Sequence, residues 1–146
     1  MRPGFLRTAA RAGVTAGLLS GIPSTVVCMV LGRDPLEATA AAGAMLLPHE
    51  QRQGVLVAAA IPVHAAISLG WAVVLTALLP ARRTLLWGAA AGLAIAALDL
   101  GPLARPFPRI RALPLGPQIA DHVAFGAIVG ACVRGYSRSE TGSGTP

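Results

Sequence analysis

Residues 54–79 read GVLVAAAIPVHAAISLGWAVVLTALL, a run with no Asp, Glu, Lys or Arg. As a helix it would cover roughly 39 Å at about 1.5 Å per residue, more than the roughly 30 Å of a bilayer's hydrocarbon core. It reads as a membrane span that is tilted or runs past the core. The run also contains a proline and a histidine. Pro62 lacks an amide N–H and so frees the carbonyl of Ala58. His64 lies beside that defect, with Ser68 one turn further on the same face.

Working outward, three more apolar runs occupy 12–31, 84–101 and 117–133. The composition agrees with that pattern: 146 residues, 54% hydrophobic and 12% charged, too apolar for a small soluble domain and too short to hold a soluble catalytic domain beside a membrane bundle. The expected fold is all-α, a four-helix transmembrane bundle over 1–134 with one short interfacial or re-entrant helix. That short helix is predicted over 35–47, where Asp34 can cap, Pro35 suits a first helical position and Glu37 completes a capping-box spacing before Pro48 stops it. The link after Gly101-Pro102 carries Pro106, Pro108 and Pro114 and is expected to be extended and stiff. Residues 135–146 are polar and rich in Gly, Ser and Thr, which predicts a disordered cytoplasmic tail.

The net charge of +6 sets twelve arginines, with no lysine, against six acidic residues. These arginines flank the apolar runs, where they anchor and orient helices, so nucleic-acid binding is not expected. Arg2, Arg7, Arg11, Arg82, Arg83, Arg134 and Arg138 fall on one side. Arg33, Arg52, Arg105, Arg109 and Arg111 fall on the other. The larger share and the Arg-rich start place both termini in the cytoplasm of a multi-pass protein of the cell membrane. A cleaved signal peptide fits poorly, because the small-residue site at 38–40 lies beyond Arg33, Asp34 and Glu37. Trp87 and Tyr136 suit interfacial anchors, while Trp71 lies too deep and reads as packing. Cys28 and Cys132 are expected in opposite halves of the membrane, as unpaired small hydrophobes.

Ionisable groups inside spans are costly and so mark candidate sites. Counting helix rise from the outer ends, Asp121 and His122 lie roughly 6–8 Å deep, Asp99 a few ångströms, and His64 about 15 Å. His64, Ser68, Asp99, Asp121 and His122 form the candidate polar or proton site. Arg105, Arg109 and Arg111 are the expected ion-pair partners of the two aspartates. A structural cluster, a proton relay and a divalent metal site all use such residues. The greater depth of His64 counts against a metal and against a bis-histidine haem. No metal or cofactor is expected. Nucleophile elbows, phosphate loops, HExxH and paired CxxC motifs are absent, so no catalytic residue is predicted and the chain reads as a non-enzyme. Glycines recur every four residues in three runs: Gly13, Gly17 and Gly21; Gly88 and Gly92; Gly126 and Gly130. Such faces permit close helix packing within a bundle or between copies. The Pro62 defect and Pro23, flanked by Ser20, Ser24 and Thr25, are expected to face each other.

The motifs GIPST (21–25), GRDPLEA (32–38) and DHVAFG (121–126) resemble a group of small, uncharacterised four-span bacterial integral membrane proteins. The resemblance implies membrane location and span number, and no activity. The expected function is a small structural or accessory membrane subunit in contact with the lipid bilayer, as a homo-oligomer or in a larger membrane complex. The alternatives are a proton-coupled transporter or channel component using His64 and Asp121/His122, and a metal or haem redox membrane protein.

Overall fold

The computed structural model describes residues 4–142, with side chains described for 4–135. The fold is all-α, 74% helical, with no strand among the described residues. In chain order the helices are α1 (Phe5–Leu19), α2 (Ile22–Val30), α3 (Glu37–Gly43), α4 (Gln53–Leu78), α5 (Thr84–Asp99), α6 (Pro108–Arg111) and α7 (Leu115–Gly142).

The two internal prolines act differently. Pro23 splits the first apolar run: α1 closes with Ser20 N donating to Ala16 O at 2.9 Å, and α2 restarts with Thr25 N donating to Gly21 O at 3.1 Å. Pro62 leaves α4 one continuous helix. The difference follows from neighbours. Gly21 and the hydroxyls of Ser24 and Thr25, both of which donate to Gly21 O, offer the chain a local alternative to the helical ladder. Pro62 sits among apolar residues that offer none.

Helices α5 and α7 form the closest pair, and α7 also packs on α1, α2 and α4. Glycine permits the α5–α7 approach. A Cβ added at Gly88 would strike Gly126 O, and one at Gly92 would strike His122 O. In return, a Cβ at Gly126 would strike Gly88 O, and one at Gly130 would strike Thr84 O. The α1–α4 pair is looser: Gly13 faces Leu69 and Ala72, and Gly17 faces Ser68. Gly21 departs from the expected packing role, with nothing within 4 Å of its Cβ position, because the break at Pro23 turns it off the α1 face. Helices α4 and α5 stay apart. The core is small and joins Ala12 and Ala16, Ala72 and Leu75, Ile95, Phe125 and Val129.

Other elements differ from the expected ones at their edges. Helix α3 is shorter than 35–47, because Asp34 Oδ1 accepts Leu36 N at 2.9 Å and holds residues 35–36 in a turn. It seats against the start of α4, where Gly43 comes so close that a Cβ would strike Leu56 O. Gln53 also bonds Asp34 across this contact. The proline-rich link is not extended: it holds turns and the one-turn α6, with Pro108 at its start, where a missing N–H is harmless. Helix α7 continues to Gly142 where a disordered tail is expected, since prolonging a helix is far easier than nucleating one. The rest of that tail, 143–146, the Tyr136 side chain and Arg2 lie outside the description.

Two segments, Phe5–Val30 and Gln53–Leu78, each 26 residues, are long and apolar enough to cross a membrane. Large apolar side chains lie exposed on the helices: Leu18 is 77% exposed, Val30 78%, Ile61 69% and Leu78 73%.

Candidate functional site

The five candidate residues are shared among neighbouring helices, with His64 and His122 both close enough to Asp121 to interact with it electrostatically. They form three polar joints between helices. At the first, His64 Nε2 of α4 lies 2.7 Å from Gly17 O of α1. A carbonyl can only accept, so Nε2 carries the proton. Ser68, one turn along, packs against Gly17 as well, which places the Pro62 region of α4 opposite the end of α1.

At the second joint, Asp121 Oδ1 of α7 accepts the backbone N–H of Ser24 at 2.9 Å. This amide belongs to the first turn of α2, which its own N-terminal Gly21 leaves without a side-chain cap. Asp121 therefore caps α2 from another helix, with its charge at the favourable end of the helix dipole. His64 and Asp121 thus hold the two sides of the Pro23 break, one on the carbonyl side and one on the amide side.

The third joint links α4, α5 and α7. Asp99 Oδ2 accepts Trp71 Nε1 at 3.2 Å and lies 3.4 Å from His122 Nε2. His122 Nδ1 lies 2.7 Å from Gln118 O and must donate to it. The remaining nitrogen then faces a carboxylate oxygen, so this pair is satisfied when one further proton sits between Nε2 and Oδ2, on either atom. Trp71 spans the gap between α4 and α5, a role that the sequence reading assigned only to packing. A part-buried indole N–H needs an acceptor, and that requirement is the one signal in the sequence by which this contact could have been found.

The loop arginines take other partners. Arg109 Nη2 donates to Glu50 O at 3.0 Å and to Gln51 Oε1 at 3.1 Å, tying α6 to the link before α4. Among the described residues no ion pair joins Arg105, Arg109 or Arg111 to Asp99 or Asp121. Side chains on a helix lean toward its N-terminus, so Asp99 at the end of α5 leans away from the loop that follows it. Outside the joints, Glu50 accepts Arg52 Nη2 at 2.9 Å and the backbone amides of Gln51 and Arg52 at 2.9 and 2.8 Å. The hydrogen bonds from Arg52, side chain first, hold its carboxyl down at about 2.

Among the described residues no group of three or more His, Cys, Asp or Glu side chains converges as a metal site. Cys28 and Cys132 are both free thiols. In comparisons with known proteins, no family model, no curated protein and no solved structure matches this chain.

Proposed function

We propose that the chain is a four-span integral protein of the cell membrane, with both termini in the cytoplasm, that acts as a non-enzymatic structural or accessory subunit. In this reading α1 with α2, α4, α5 and α7 are the spans. The observation that carries it is the commitment of each interior ionisable group to a helix-to-helix bond: His64 to Gly17, Asp121 to Ser24, and Asp99 to Trp71 and His122. In lipid, backbone and side-chain polar groups must be satisfied within the protein, and these three joints do that at the Pro23 break and between α4, α5 and α7. The exposed apolar side chains support lipid contact, as does the length of Phe5–Val30 and Gln53–Leu78. Helix α5 is shorter, and α7 carries Gln118, Asp121 and His122. Both are covered on one side by their mutual glycine contact.

A second reading, a proton-coupled transporter or channel component, is favoured by one feature. The Asp99–His122 pair can pass a proton between carboxylate and imidazole. Purified protein in liposomes loaded with a pH-sensitive dye separates the readings. A structural subunit gives proton flux no greater than protein-free vesicles. Flux that is lost in both Asp99→Asn and His122→Gln would establish transport.

A further inference from the structure

A cleft of about 180 Å³ lies between the last turn of α2, the turn leading into α3, and the chain entering α7. Its walls are apolar, with Val27 and Leu31 on one side and Leu113 and Pro114 on the other, and Arg33 and Glu37 line the same cleft. Both charged residues are exposed. Among the described residues neither side chain has a hydrogen bond or an ion pair, with each other or with any other group. A cation and an anion therefore border one small cavity without neutralising each other. The cavity adjoins the apolar surface of α2, where Val30 is 78% exposed.

We propose that this cleft holds the headgroup of a zwitterionic phospholipid with a primary ammonium, a phosphatidylethanolamine, with its phosphate on Arg33 and its ammonium on Glu37. The inference rests on the membrane reading above. A guanidinium pairs with phosphate oxygens through two parallel N–H donors, and a carboxylate accepts N–H bonds from a primary ammonium. The quaternary ammonium of a choline headgroup has no N–H to give. A glycerol headgroup brings no cation to Glu37. The volume is below the roughly 300 Å³ at which pockets for whole small molecules begin, which suits a headgroup whose acyl chains stay outside against α2.

The test is native mass spectrometry of the full-length chain in detergent, with phosphatidylethanolamine, phosphatidylcholine and phosphatidylglycerol supplied at equal concentration. Phosphatidylethanolamine should be retained about fivefold or more over the other two, the scale of one exposed charge-assisted contact. Arg33→Ala should lose about tenfold of that retention, since the phosphate contact goes. Glu37→Gln should bring phosphatidylethanolamine down to the phosphatidylcholine level while keeping the phosphate contact. Both positions are exposed, and an unchanged melting temperature in detergent shows that each variant is folded. Equal retention of the three lipids overturns the proposal, as does wild-type retention in Arg33→Ala. Displacement by soluble phosphoethanolamine at the same concentration overturns it too, because the acyl chains would then contribute nothing. Release of the protein from membranes by alkaline extraction would overturn the membrane reading itself. A chain that stays in the membrane but shows no lipid preference overturns this proposal alone.

Discussion

Pro23 removes an amide from the first helical rod, and Asp121 and His64 bind the groups that the resulting break exposes. Asp121→Ala leaves Ser24 N without an acceptor and should destabilise the protein by about 1–3 kcal/mol, whereas Asp121→Asn keeps an acceptor oxygen and should cost clearly less. Thermal unfolding in detergent reads the difference, and equal losses in the two variants would contradict the capping role. Trp71→Phe keeps an aromatic ring, though a smaller one, and removes the donor to Asp99, and the expected cost of the lost hydrogen bond is about 1 kcal/mol. Glu50 provides a pH dependence outside the helices. Its carboxyl sits at about 2 in the folded chain against 4.5 for the free group. A carboxyl lowered by folding stabilises the fold above its unfolded value, and that contribution is lost as pH falls from about 4.5 toward 2. The amides of Gln51 and Arg52 should therefore lose protection from hydrogen exchange at pH 2 relative to pH 5, after correction for intrinsic rates. Identity was legible at this scale: an Asp or His inside an apolar run stands out in any reading. The partner was not, because Gly17 O and Ser24 N are backbone groups that every residue carries. Only the meeting of α4 with α1, and of α7 with α2, selects them.

Between helices, the glycine repeats separate into those that set a distance and one that does not. A leucine at Gly126 cannot fit against Gly88 O, so Gly126→Leu should push α5 and α7 apart and cost about 1–3 kcal/mol or more. Gly21→Ala meets open space at a φ of −78° that alanine adopts freely, and should be neutral or stabilising by about 0.4–1 kcal/mol. Melting curves of the two variants should therefore move in opposite directions or, for Gly21→Ala, not at all. A four-residue glycine spacing is readable in the sequence, yet it is the same for Gly13, Gly17 and Gly21 as for Gly88 and Gly92. The break at Pro23 decides that Gly21 leaves the face. The same limit applies to α3: Asp34-Pro35-Leu36-Glu37 announces a short helix, and its seat on Leu56 depends on the close approach at Gly43, far from it in sequence.

Taken whole, α7 packs on α1, α2, α4 and α5, and large apolar residues such as Leu18, Val30, Ile61 and Leu78 lie exposed on the outside of the helices. The four-span reading is checked by cysteine accessibility in intact cells. New cysteines placed in the 80–83 turn and after 135 should react with a membrane-impermeant thiol reagent only after the cells are opened, and cysteines placed at 48–52 and 103–112 should react at once. Labelling of the 80–83 position in intact cells would reverse the orientation. The sequence by itself determined the all-α class, because runs of apolar residues such as 54–79 have one economical way to satisfy their backbone, by helical hydrogen bonds within each segment. It also singled out the rare ionisable residues within those runs. Tertiary structure alone decided that they form three neighbouring joints, that Trp71 bridges α4 to Asp99, and that the loop arginines turn elsewhere. The physical reason is reach: hydrogen bonds and close packing act over a few ångströms, and which groups come within that distance depends on how separate helices are set against one another.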